Sequence, residues 1–163
     1  MAYLNFSWIF EGSLAAAEGP TSRRDLIFLQ SQKIRSIVRM EEHSISGAAL
    51  EMEDLYEPVP DGTLPNMDQI HHMATFIETE IEVWEHPVVV TCQSGLARTS
   101  TVLASYLVYV GYKSEDALKL IRELRPGSIQ TADQEDAIKR YYERRRAEER
   151  ELRSMARKPL EHP

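Results

Sequence analysis

The sequence predicts an α/β domain built on one central sheet, and three observations carry that prediction. Short apolar segments alternate with amphipathic ones along all 163 residues, the pattern of strands and helices in turn. Pro87-Val88-Val89-Val90 is a continuous apolar run after a proline, as expected of a strand buried on both faces. A polar loop then leads into Val102 to Val110, which is almost wholly apolar and long enough to be a buried helix. Strand, loop and buried helix place a site at the strand's C-terminal end. No internal repeat or low-complexity linker divides the chain, so a single domain with a mixed, mostly parallel sheet flanked by helices is expected.

The elements follow in order. Phe6 to Phe10 and Leu14 to Ala16 read as short strands around a turn at Glu11-Gly12-Ser13. Thr21 to Gln32 reads as a helix opened by Pro20 and a Thr-Ser pair suited to capping. Ile34 to Met40 is a buried strand around Ile37-Val38, and Leu55 to Val59 another, stopped by Pro60-Asp61-Gly62. In Met67 to Trp84, Ile70, Met73, Ala74, Ile77 and Ile81 recur at spacings of three and four, which makes an amphipathic helix. Ser114 opens a helix to Leu124, ended by Arg125-Pro126-Gly127. Thr131 opens a last helix to about Arg153, nearly all Arg and Glu in its distal half.

Charge and cysteine content narrow the function. The net charge is −7, but residues 139–163 hold nine Lys and Arg against five Glu, a net +4 that leaves −11 on the rest. A body so acidic does not attract nucleic acid, and any phosphate must be held in a local pocket. One Cys in the chain excludes an internal disulfide and a thiolate-rich zinc site. His71 and His72 are adjacent and would point about 100° apart on a helix, a poor geometry for one metal. No metal or cofactor is expected. No apolar run has membrane length and Met1 to Phe10 has no signal-peptide pattern, so the expected location is cytoplasmic, in a reducing compartment and away from membranes.

The one Cys lies in the loop after the valine strand, Val90-Thr91-Cys92-Gln93-Ser94-Gly95-Leu96-Ala97-Arg98-Thr99-Ser100. A loop that leaves a strand and feeds a helix can turn its backbone N–H groups inward, and the helix N-terminus adds about half a positive charge. Gly95 permits a conformation closed to other residues, and Arg98 offers a planar fork for two phosphoryl oxygens. Such a cradle favours the thiolate over the thiol and aims it at phosphorus. Thr99 can donate its hydroxyl to the sulfur. The expected site is therefore Cys92 as nucleophile, with Gln93, Ser94, Gly95, Leu96, Ala97, Arg98 and Thr99 around the phosphate.

Cys-x-x-x-x-x-Arg-Thr resembles the signature of the cysteine-dependent protein tyrosine phosphatases. Asn5-Phe6-Ser7-Trp8, Pro60-Asp61 and Arg125-Pro126-Gly127-Ser128-Ile129-Gln130-Thr131 are similar in kind and order to the small atypical dual-specificity phosphatases, the VHZ-like branch with its archaeal relatives. The resemblance covers residues 5–143 and not the basic tail. It implies a phosphatase domain over residues 1–143 with a charged helical extension and tail over 144–163. Two positions depart from the family: Thr91 stands where His usually precedes the nucleophile, and Ser100 where many relatives have Gly. A Thr hydroxyl can hydrogen-bond but carries no charge, which implies a nucleophile less readily ionised and slower turnover.

The resemblance also implies a general acid about thirty residues before the Cys, and Asp61 in its proline-bounded loop fits. Taken alone, Asp61-Gly62 is a turn dipeptide; Asp54 and Asp68 are weaker candidates, at a strand start and in a helix's first turn. A Gln to position water is implied as well, and Gln130 and Gln134 are both available, although Thr131-x-x-Gln134 is equally a capping box. The expected function is hydrolysis of phosphotyrosine, with phosphoserine and phosphothreonine as further candidates, through a phosphocysteine intermediate. Phosphoproteins or small phosphomonoesters are the expected partners, and phosphate the product and inhibitor. A rhodanese-type sulfurtransferase would need neither Asp61 nor Thr99, and a low-molecular-weight phosphatase would carry its Cys near the N-terminus. The alternative from another class is a phosphopeptide-binding module that kept the cradle without turnover.

Overall fold

The computed structural model describes residues 2–159; Met1 and the end of the expected tail, residues 160–163, lie outside the described residues. Five strands, β1 (Ser7–Phe10), β2 (Leu14–Glu18), β3 (Ser36–Arg39), β4 (Glu53–Tyr56) and β5 (Val88–Cys92), form one sheet in the order β1-β2-β5-β3-β4. The β1–β2 hairpin is antiparallel, turning at Gly12, and the other pairs are parallel. Five helices accompany it: α1 (Arg23–Ser31), α2 (Met67–Glu82), α3 (Ala97–Tyr109), α4 (Ser114–Leu124) and α5 (Ala132–Ala156).

Strand alternation divides the interior into two cores. Ala16, Val38, Val88, Val90 and Cys92 face α2, α3, α4 and α5, while Ala15, Ala17, Ile37 and Val89 face α1 and the segment Leu4 to Trp8. Val88, Val89 and Val90 are wholly buried, each worth about 1.5–3 kcal/mol of hydrophobic stabilisation. This is why β5 is the central strand. α3 is buried on nearly every side from Arg98 to Val108, because β5, α2, α4 and α5 all pack against it.

Local signals and register explain the element ends. Ser22, of the Thr-Ser pair, caps α1 by accepting from Asp25 N, so the helix starts at Arg23 rather than Thr21. β4 lies at Glu53–Tyr56 instead of Leu55 to Val59, and as an edge strand it is partly exposed rather than buried. Its pairing with Ser36–Arg39 sets that position, and Pro58 has no N–H for a ladder. The buried helix begins at Ala97, five residues before its apolar run. Two short 3-10 turns, Tyr3–Asn5 and Gly47–Leu50, were not expected from sequence. α5 continues through residue 143 to Ala156. Ion pairs of Arg144 and Arg145 with Glu148, and of Arg153 with Glu149, run along it, and Arg144 also reaches Asp68 of α2 at 3.2 Å. Among the described residues no helix is long and apolar enough to cross a membrane.

Candidate active site

Cys92 ends β5 and is 1% exposed, at the floor of the loop that carries residues 93–96 into α3. Gly95 has a φ of +70°, and a Cβ there would stand 2.7 Å from the backbone of Ala17, so the loop closes onto β2 in a way open to glycine alone. Leu96 occupies the N-cap of α3 without a side-chain cap bond, which leaves the first-turn N–H groups unclaimed by any capping side chain. The backbone and the helix terminus thereby supply positive potential beside the thiol.

Two buried arginines complete the positive side. Arg98, 4% exposed, donates from Nη1 to Val59 O at 2.6 Å, and its Nη2 lies 3.4 Å from Asp61 Oδ1. Arg125, 5% exposed, donates from Nη2 to Gly95 O at 2.5 Å and from Nη1 to Asn5 O and Ser7 Oγ at 2.9 and 2.7 Å. Burial lowers the Arg125 guanidinium from the usual arginine range, while the charges of Cys92 and Glu18 pull it back up. Asn5 adds a bond from Nδ2 to Ser94 O at 3.4 Å. The sequence marks Arg125 as the end of a helix and as part of a run similar to the dual-specificity phosphatases, without a role at the loop. Its place under the loop depends on packing across 30 residues of chain, and the one available signal was the shared Arg-Pro-Gly run.

Asp61 lies in the exposed segment between β4 and α2, its side chain 79% exposed. It does make the turn its dipeptide suggests, since Gly62 N donates to Asp61 Oδ1 at 3.1 Å and Thr63 N to Pro60 O at 3.1 Å. The same turn holds the carboxyl against Arg98. Asp54 instead accepts both Arg39 Nε and Nη2, at 2.8 and 2.9 Å, and Asp68 pairs with Arg144, so neither faces the cradle. Gly19, Thr21, Glu41, Glu42, His43, Asp61, Gln93 and Arg98 enclose a hollow of about 400 Å³. Cys92 is buried next to Gln93 in the chain and is not itself among these lining residues. A larger hollow of about 540 Å³, between the C-terminal end of α3 and α5, is lined by Tyr109, Tyr142, Arg145 and Arg146 and by none of the residues of the cysteine loop.

Three buried polar atoms have no hydrogen-bond partner among the described residues: Thr99 Oγ1, Ser100 Oγ and Arg125 Nε. All belong to the first turn of α3 or to the arginine beneath the loop, and since buried polar atoms are rarely left unpaired, their concentration here sets this region apart from the rest of the interior. The Thr99 hydroxyl is thus close to the nucleophile in sequence but hydrogen-bonded to no protein atom, the sulfur included. Gln134 is 3% exposed and its amide is fully engaged: Oε1 accepts from Gln130 N at 2.9 Å and Thr131 N at 3.0 Å, and Nε2 donates to Ser128 O at 2.9 Å and Ala97 O at 3.3 Å. The capping box is formed, and the amide ties α5 to the cradle helix, which leaves it no free donor or acceptor to orient water. Gln130 is exposed. His71 and His72 spend Nδ1 on Tyr141 and Glu57, both at 2.9 Å.

Thr91, wholly buried, directs its hydroxyl to the carboxylate of Glu41 at 2.9 Å. Nothing in the sequence marks Glu41, because it meets Thr91 only through the pairing of β3 with β5.

Known proteins resemble this chain in sequence and fold. The family model described as "Polymorphic toxin system, DSP-PTPase phosphatase" matches residues 15–112, well over half of the chain. Protein tyrosine phosphatase domain-containing protein 1 of Mus musculus is 29% identical over 151 residues, covering 78% of this chain and 20% of its own length. The tyrosine-protein phosphatase CDC14 homolog of Schizosaccharomyces pombe is 26% identical over 111 residues, covering 64% of this chain and 20% of its own length. The chain therefore spans about a fifth of the length of these curated relatives. The crystal structure of Tk-PTP in the active form superposes with a TM-score of 0.78 at 27% identity, over 88% of this chain and 99% of that one. With its cysteine loop, its arginine and the parallel sheet beneath them, the chain belongs to the DSP-PTPase phosphatase family.

Proposed function

We propose that the protein hydrolyses phosphotyrosine in proteins, and phosphoserine and phosphothreonine in addition, through a phosphocysteine intermediate. The observation that carries this reading is the placement of Cys92 at the floor of a loop bounded by Arg98, with Asp61 3.4 Å from that arginine. Cys92 Sγ attacks phosphorus as the P–O bond to the leaving group breaks, and Asp61 gives its proton to the departing phenolate or alkoxide. Arg98 and the backbone N–H groups of residues 93–98 stabilise the charge on the equatorial oxygens. In the second step the Asp61 carboxylate takes a proton from water, the oxygen attacks phosphorus, and the S–P bond breaks to release phosphate and the thiolate. Thr99 Oγ1, buried and without a protein partner, supports a role in donating to the sulfur as it leaves. An accessible thiolate is readily oxidised, so the reading includes a reducing, cytoplasmic setting.

The variable loop positions Gln93, Ser94, Leu96 and Ala97 carry no cation, and Glu41, Glu42 and Asp61 line the hollow, which supports a singly phosphorylated substrate over a polyphosphorylated lipid. PTPMT1, whose crystal structure contains PI(5)P, shares the fold at a TM-score of 0.77 and 18% identity. The test is steady-state hydrolysis of an aryl phosphate, a phosphotyrosine peptide and PI(5)P by the wild type, Cys92→Ser and Asp61→Asn. Cys92→Ser is expected to lose more than about 10⁴-fold in kcat, and Asp61→Asn about 10²–10⁴-fold. Absent wild-type turnover of all three substrates would leave phosphopeptide binding as the reading. Activity retained by Cys92→Ser would overturn the covalent mechanism, and faster turnover of PI(5)P than of the peptide the substrate class.

A further inference from the structure

Glu41 is a carboxylate in an unexpected place. It is 5% exposed, follows β3 directly, and lines the same hollow as Arg98 and Asp61. Thr91 Oγ1, on the residue before Cys92, lies 2.9 and 3.1 Å from its two oxygens, and Met40 N donates to Oε2 at 3.2 Å. A seat is built for it. Gly19 follows β2 and donates its N–H to Cys92 O at 3.1 Å, and a Cβ on Gly19 would lie 1.9 Å from Glu41 Oε1. The carboxylate therefore occupies the space that any larger residue at position 19 would fill. Among the described residues no Lys, Arg or His forms an ion pair with it. A buried carboxylate without a cation is costly and acts strongly on its neighbours, because little water screens it.

The cradle must hold a thiolate and then a phosphate dianion, and a like charge at its wall works against both. We propose that Glu41 is a positioning residue that holds the end of β5 through Thr91 and, as an electrostatic counterweight in the cradle, loosens product phosphate and restrains ionisation of Cys92. The inference rests on the phosphate-binding reading of the loop. Its value to a phosphatase is release: Arg98, the backbone dipoles and the nearby Arg125 hold product phosphate, and Glu41, a buried carboxylate on the wall of the same hollow, adds to the charge that offsets that hold. The other charged or titratable groups here are Glu42, His43, Asp61 and Arg98, which line the hollow, Glu18, which pairs with Cys92 in register, and Arg125, on which the charges of Cys92 and Glu18 both act.

Glu41→Gln and Glu41→Asp leave all of those groups in place. Gln removes the charge and keeps one acceptor oxygen, which in the place of Oε2 can accept from both Thr91 Oγ1 and Met40 N, and Asp keeps the charge on a shorter stem. The readout is the rate of Cys92 alkylation by iodoacetamide against pH, with and without inorganic phosphate, which needs no turnover; Cys92→Ser gives the blank. In Glu41→Gln the pH of half-maximal alkylation is expected to fall by about half a unit or more, and protection by phosphate to appear at a concentration lower by about threefold or more. Glu41→Asp should stay near the wild type in both. Unchanged values in Glu41→Gln, or equal shifts in both variants, would overturn the counterweight and reduce Glu41 to packing. If phosphate gives no protection even to the wild type, the phosphate-binding reading fails, and the counterweight that rests on it falls too. A shift in alkylation pH for Glu41→Gln alone would then mark only a local charge effect on the thiol.

Discussion

The loop of Cys92 and the loop of Asp61 face each other across Arg98 and are held in opposite ways. Around the cysteine, the carbonyls of Ser94 and Gly95 accept from Asn5 and Arg125, and Gly95 is wedged against Ala17. These partners come from distant parts of the chain. The Asp61 loop is anchored at its base, where Val59 N donates to Met40 O at 3.1 Å and Val59 O accepts from Arg98 at 2.6 Å, and at one further point, the 3.4 Å contact of Asp61 Oδ1 with Arg98 Nη2. Apart from that contact, the bonds from Pro60 to Thr63 are local and the residues exposed. Long-range bonds, that of Arg125 buried, hold the groups that must match a fixed phosphate geometry. Local bonds suffice for a group whose task is to exchange a proton with substrate and water.

Breaking the shared contact should have the largest effect. Arg98→Lys replaces a planar fork by a point charge, and kcat for an aryl phosphate is expected to fall about 10²–10³-fold. A loss under tenfold would mean that Arg98 chiefly anchors Val59 O. Next comes a matched pair of glycine substitutions. Gly95 and Gly62 both have positive φ, +70° and +79°, but a Cβ on Gly62 meets nothing within 4 Å. Gly62→Ala should cost about 1–2 kcal/mol in left-handed strain alone, whereas Gly95→Ala should cost about 3 kcal/mol or more because overpacking adds to strain. Chemical denaturation reads the difference, and equal costs would remove the claimed contrast in rigidity.

The smallest effect concerns the outer support of the cysteine loop. Asp25 accepts from Tyr3 Oη at 2.6 Å and Thr21 N at 2.9 Å, which holds the segment that carries Asn5 to Ser94. Burial pushes the Asp25 carboxyl up, but the bonds from Tyr3, Thr21 and Ser22 outweigh it and leave it below the usual carboxylate range. A lowered native value means that the unfolded chain binds the proton more readily, so Asp25 contributes stability above its unfolded pKa, and this is lost as pH falls through the native one. Denaturation midpoints measured from pH 6 down to pH 2 should therefore fall less steeply in Asp25→Asn than in the wild type. Parallel slopes would show that this bond network does not couple to folding.

Features that depend on local pattern were legible in the sequence. The valine run, the Cys92–Arg98 spacing and the capping residues Ser22 and Thr131 belong to single segments, and each signal is complete within one turn or strand. The Leu55 to Val59 strand was misplaced because its limits come from pairing with β3, and a short apolar run does not encode its partner. Gln134 was ambiguous in the sequence for a related reason. Its capping role is local, but its bond to Ala97 O spans 37 residues.

By itself, then, the sequence determined an α/β domain, a cysteine loop entering a buried helix, and an acidic body with a basic tail, since periodicity, spacing and charge are properties of the chain. Only the tertiary structure decided what surrounds the cysteine. Arg125 comes to Gly95 from 30 positions away and Glu41 to Thr91 from 50, and the same sheet register puts Gly19 where it can admit a carboxylate. Each is an ordinary residue in sequence and acquires its effect through burial, where a charge loses its water and interacts with whatever the fold has placed beside it.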